Sequence, residues 1–170
     1  MNAFEAFGLQ ADTNIDLSAL ASRYRDLQSA VHPDRFANAT DVEQRIAMAR
    51  AVEINDAYNT LKDPVRRAMH LLSLKGIDAL AASDTSMPVD FLMEQVEWRE
   101  ALADAKLKED SERLEEMASE ITSILHSLGD TFAAAWRGEH LPVATTLARK
   151  MRFMQKLGDE VDAALADLEQ

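Results

Sequence analysis

The sequence predicts an all-α protein. Only five glycines and four prolines interrupt 170 residues rich in Ala, Leu, Glu and Met, the composition of long helices. Apolar residues recur at spacings of three and four in one segment after another, and no alternating β-branched run offers a strand. A hydrophobic content of 47% is enough for packed cores in one domain or two small ones.

The first elements are short. Phe4, Phe7 and Leu9 suit a brief opening helix set against two longer ones. Asp16 is an N-cap for a pattern carried by Leu17, Leu20, Ala21, Tyr24, Leu27, Gln28 and Val31. That pattern must stop near Val31, because Pro33 cannot donate a backbone hydrogen bond and its ring drives His32 out of the α region. Ala30-Val31-His32-Pro33-Asp34-Arg35-Phe36 is therefore a stiff, exposed turn presenting an imidazole and a carboxylate at fixed spacing. Taken alone it is equally an ordinary Pro-Asp turn with an incidental histidine. Ile46, Ala47, Ala51, Ile54, Ala57, Tyr58 and Leu61 trace the next stripe. Asp63-Pro64 closes it and opens a third helix as N-cap and first residue. Ala68, Leu71 and Leu72 give that helix its apolar side, and Gly76 its C-cap. His70 is a lone histidine of structural character.

Two antiparallel amphipathic helices with His-Pro-Asp between them resemble a J-domain, the module that recruits DnaK-class chaperone ATPases. Ile54-Asn55-Asp56-Ala57-Tyr58, Leu61 and Asp63-Pro64 match its later helix as well. The resemblance covers residues 1–75. It implies a role for Arg23, Arg25 and Arg35 in meeting an acidic surface of the ATPase, against the alternative of solvated helix charges.

Residues 76–88 read as a connector, with Gly at one end and Ser, Asp, Thr and Pro at the other; the apolar Ile77 and Leu80 would pin and stiffen it. Asp90 then caps a helix over Phe91–Leu102 that has two faces. Phe91, Trp98, Leu102 and Ala105 cluster on one side; Leu92, Met93, Val96 and Ala103 project from the other, among Glu97, Glu100 and Asp104. Unpaired carboxylates are costly to bury, so the second face is expected to be exposed to a partner. Leu114, Met117, Ala118, Ile121, Ile124, Leu125 and Leu128 make a regular stripe from Asp110, which Gly129-Asp130 ends or kinks. Phe132 and Trp136 extend the packing before Gly138. Beyond Leu141-Pro142 the core stripe is Val143, Leu147, Met151, Met154, Val161, Leu165 and Leu168. Phe153 falls off it beside Arg149, Arg152 and Lys156, either a binding aromatic or a partly covered ring at the bundle edge. Residues 89–170 thus read as a three-helix bundle.

Charge and composition narrow the function. The net charge of −12 is concentrated in residues 81–170, which carry −10 of it, so nucleic acid is not an expected partner and a basic protein surface is. The absence of cysteine removes disulfides, thiol catalysis and the usual zinc or iron–sulfur ligation. The N-terminus shows no basic and apolar leader pattern, and no run is long enough to span a membrane. The expected setting is cytoplasmic.

An acidic three-helix half behind a J-domain resembles the HscB-type co-chaperones of iron–sulfur cluster assembly. Carrying words are His32-Pro33-Asp34-Arg35-Phe36, Leu71-Leu72-Ser73-Leu74-Lys75-Gly76 and the Phe91–Leu102 helix. Arg35 stands where lysine is commoner and keeps the charge; Val96 is smaller than the leucine often found there. The resemblance implies no enzyme and no cofactor or metal. It implies a J-domain that engages an HscA-type ATPase through His32, Pro33 and Asp34 and stimulates it. It further implies a bundle that binds an IscU-type scaffold through Leu92, Met93, Val96, Glu97, Glu100, Asp104 and Phe153. Two other readings are a J-protein with an unrelated client and a small helical enzyme using His32 and Asp34 with His126 or His140. Against the latter, there is no phosphate-cradling Gly loop and no nucleophile beside a base.

Overall fold

The structure, a computed structural model, describes residues 1–81 and 87–170; residues 82–86, in the middle of the predicted connector, lie outside the described residues. Seven α-helices are found among those described, with no strand. They are α1 (Ala3–Ala6), α2 (Leu17–Ala30), α3 (Asp41–Lys62), α4 (Pro64–Ser73), α5 (Val89–Leu107), α6 (Ser111–Arg137) and α7 (Leu141–Leu168). None is long and apolar enough to cross a membrane. The chain divides into two compact units, Met1–Leu71 and Leu72–Gln170.

In the first unit α2 and α3 form the antiparallel pair, and α1 packs on α3. Phe4, Phe7, Leu20, Ile54, Ala57 and Leu61 are buried. Asn2 and Glu5 close a reciprocal capping box on α1, which is how four residues hold a helical turn. His70 on α4 accepts the Ala3 N–H at 3.2 Å and stacks on Phe4; burial lowers its pKa. Arg67 donates to the Leu61 carbonyl at 2.7 Å. Burial lowers its pKa too, partly offset by Asp63.

Asp16 caps α2 as expected, and Asp63 accepts the N–H groups of Val65 and Arg66 at the start of α4. Two stripe residues are misplaced. Ile46 is exposed because it neighbours Ala47, about 100° away around the helix, and only Ala47 faces inward. Leu17, the first residue of α2, is also exposed, at the rim of the buried face.

In the second unit α5, α6 and α7 form the three-helix bundle, with α6 and α7 making the main pair. The buried side of α7 follows a seven-residue spacing, Leu147, Met154 and Val161 beside Ala144, Met151 and Gly158. Gly158 is where the pair closes: a Cβ there would stand 3.2 Å from Cγ2 of Ile121. Leu157, Ala144 and Ala148 belong to this core, whereas Val143 is on the exposed flank. Trp98 is half-buried against the cluster containing Leu102, Leu114, Met117 and Ile121.

Three boundaries differ from expectation. The helix after the connector begins at Val89 with Pro88 as N-cap, so Asp90 lies in the first turn and is not the cap. There it still favours the helix dipole. Gly129-Asp130 neither ends nor kinks α6, which runs unbroken to Arg137. An interior glycine costs only about 1 kcal/mol, and the buried Phe132 and Ala135 beyond it supply more than that. Pro142 lies inside the first turn of α7, where its missing N–H is no loss.

Three helix ends, those of α4, α5 and α6, share one geometry. At Gly76 (φ +78°), the N–H of Ile77 bonds the Leu72 carbonyl and that of Gly76 the Ser73 carbonyl, a Schellman closure. The same pair of bonds ends α5 around Glu109 and α6 around Glu139, at φ 52° and 59°. The segment past Gly76 is bound to the bundle. Lys75 lies over the Trp136 ring at 5.9 Å, Ala79 is buried, and Arg149 Nε donates to the Ala79 carbonyl at 2.8 Å.

Candidate functional sites

The first site is the turn after α2. Val31 ends the helix, its N–H on the Gln28 carbonyl and the next N–H, that of His32, on the Ser29 carbonyl, and its side chain is buried as an anchor. His32 leaves the helix at φ −59°, ψ 137°, and Pro33–Phe36 forms one 3₁₀ turn. His32 Nδ1 accepts the Asp34 N–H at 3.2 Å and lies 3.6 Å from Asp34 Oδ2. The Asp34 side chain remains 91% exposed, so its carboxylate is offered outward from a fixed backbone.

Contacts behind the turn explain its stiffness. The Phe36 carbonyl accepts from Gln44 Nε2 at 2.9 Å on α3. One level down, Tyr24 donates to Asn55 at 2.8 Å and Gln28 reaches the Ala51 carbonyl. The Tyr24 and Tyr58 rings sit 4.0 Å apart, with Lys62 over Tyr58. Asn55 and Tyr58 are thus braces of the α2–α3 pair. Periodicity does not mark Asn55 for this role; only the pairing register of α2 and α3 sets it opposite Tyr24.

Arg23, Arg25 and Arg35 are all exposed. Arg23 and Arg25 do not share a face, however: two residues apart on one helix, they are about 160° apart around it. The Arg23 guanidinium leans on the Gly8 turn.

The second site is the outer face of α5. Phe91, Leu102 and Ala105 are buried, while Leu92, Met93 and Val96 are 46%, 59% and 56% exposed. Glu97 and Glu100 are exposed in the same stripe, and Asp104 pairs with Lys108 at 3.2 Å. The faces are therefore divided as the periodicity divides them. Phe153 is half-buried on α7, edge-on to Phe91 at 5.5 Å, with Arg99 over its ring at 5.4 Å and ion-paired to Glu160. It is a partly covered ring in the α5–α7 seam. Arg99 lies about 20° from Leu92 around α5, so the structure puts Phe153 at the shoulder of the exposed stripe. His126 pairs with Asp130 within α6, and His140 stands at the N-cap position of α7 without a side-chain capping bond.

Comparison with known proteins agrees with both halves. Residues 2–70 match the DnaJ domain family, and residues 87–162 match the family described as the HSCB C-terminal oligomerisation domain. A co-chaperone protein HscB homolog from Shewanella halifaxensis is 42% identical, with 98% of this chain and 100% of that protein covered. The solved chaperone HscB from Vibrio cholerae is 37% identical with a TM-score of 0.86, covering 99% of each chain. The human co-chaperone protein HscB is 28% identical with a TM-score of 0.88, covering 96% of this chain and 81% of that one. These relatives are co-chaperones with a J-domain, not enzymes. The chain belongs to the HscB family of J-domain co-chaperones.

Proposed function

We propose that this co-chaperone delivers an iron–sulfur cluster scaffold of the IscU type to a DnaK-class ATPase of the HscA type and stimulates its ATP hydrolysis. The J-domain of residues 1–75 meets the ATPase through His32, Pro33 and Asp34, with Arg23, Arg25 and Arg35 around them. Past the 76–88 connector, residues 89–170 hold the scaffold on Leu92, Met93, Val96, Glu97, Glu100, Asp104 and the shoulder residue Phe153. The chain acts in the cytoplasm, as an adaptor without catalytic residues of its own.

The observation that carries this reading is the outer face of α5. Three large apolar side chains are left in solvent beside carboxylates, on a helix whose opposite face is fully used by the core. Such a stripe suits a partner with apolar contacts and a basic rim. Arg23 and Arg25, on different flanks, would act as separate steering charges. Asp34 suits a charge-assisted bond to a partner arginine.

The test is ATP hydrolysis by the HscA-type chaperone with the full chain alone, the scaffold alone and both together. We expect modest stimulation by the chain and a larger effect with both. No rise above the basal rate with the chain present would overturn the ATPase half; stimulation without scaffold synergy would assign the α5 face to another client.

A further inference from the structure

We infer that His32 acts as a positioning residue: its unprotonated Nδ1 accepts the Asp34 N–H, fixing where the Asp34 carboxylate points. This rests on the proposed ATPase contact and deepens it by assigning the tautomer and the work of the imidazole. The 3.2 Å bond from the Asp34 N–H requires a lone pair on Nδ1. The neutral ring must then carry its proton on Nε2, facing solvent on a side chain that is 58% exposed. The bond spans residue i to the amide of i+2, the loop an asparagine makes in an Asx turn. Pro33 between them contributes no donor and a fixed φ, so the ring closes a small cycle that leaves Asp34 few backbone alternatives.

Protonation reverses the polarity of that cycle. Nδ1 becomes a donor, the Asp34 amide loses its acceptor, and the nearest acceptor is Asp34 Oδ2, 3.6 Å away. The carboxylate would turn inward to the imidazolium and away from a partner. Asp34 and Arg35 lie on the turn itself, α3 contributes the neutral Gln44 at Phe36, and among the described residues Asp34 is the only ion-pair partner of His32.

The choice of atom makes the inference testable. Asparagine places its carboxamide oxygen near the position of Nδ1, whereas glutamine places it nearer that of Nε2. In the full-length chain His32→Asn should stimulate the ATPase well above His32→Gln, by up to about tenfold, the upper range for one net hydrogen bond. Asp34→Asn should abolish stimulation in all three backgrounds. On the ¹⁵N-labelled chain, long-range imidazole spectra should show His32 protonated at Nε2. The Asp34 amide signal should move away from its parent position in His32→Gln, where the acceptor is lost, and stay close to it in His32→Asn. His32→Gln equal to or better than His32→Asn, or a proton found on Nδ1, would overturn the inference. If Asp34→Asn stimulates like the parent, the ATPase contact itself is wrong, whatever the imidazole spectra show.

Discussion

Glu109 and Glu139 hold the left-handed conformation that closes α5 and α6. A Cβ makes that conformation unfavourable, and glycine is free of the conflict. Glu109→Gly and Glu139→Gly should each raise stability by about 0.5–1 kcal/mol, read as an upward shift of the urea midpoint with the slope unchanged. Alanine at either position should give no gain. His70 is the matching case for pH. With its folded pKa depressed below the ordinary 6.5 by burial, the unfolded chain binds the proton first. The stability His70 contributes is complete above about pH 6.5 and is lost as pH falls from there through the lower folded value. Protonation also removes the acceptor for the Ala3 N–H. The melting temperature of the parent should therefore fall more steeply below pH 6.5 than that of His70→Gln, whose carboxamide oxygen stays an acceptor.

Among the elements, α5 offers the clearest contrast. Leu102 is buried in the bundle core and Leu92 lies in solvent. Leu102→Ala should cost about 2–5 kcal/mol; Leu92→Ala should change stability by no more than about 0.5 kcal/mol. With the proposed scaffold, Leu92→Ala should weaken binding by about 2 kcal/mol. Urea melts and calorimetric titration of the same two variants check both. This contrast was legible in the sequence because a helix expresses its two faces in one period, and residues 91–105 span four turns of it. The His-Pro-Asp turn was legible for another reason, since proline geometry acts locally. Helix ends were not. Glu139, and not the neighbouring Gly138, takes the left-handed position, because the register of the closure is set by which carbonyls α6 leaves open. Gly129 reads as a break on propensity alone, and it is the packing of Phe132 that carries α6 through it. Val143, Ile46 and Leu17 read as core and are exposed, because apolar character does not say how far a partner helix reaches.

At the scale of the molecule, the stretch between Lys75 and Ala79 belongs to the bundle through Trp136 and Arg149. A fragment of residues 72–170 should accordingly outlast one of residues 89–170 by about 2 kcal/mol, from one cation–π contact and one charged hydrogen bond. Comparing the two by urea denaturation decides it, and equal midpoints would make the attachment incidental. The aromatic side chains divide along the same line. The chain has two tyrosines and two tryptophans; Tyr24 and Tyr58 stack in Met1–Leu71, while Trp98 and Trp136 lie in Leu72–Gln170. Each body thus carries its own chromophore, and one unlabelled sample yields two optical records of unfolding. Tyrosine absorbance follows the first unit and tryptophan emission the second. Curves that superimpose mean that the two bodies melt as one, and curves that separate measure how far each stands without the other.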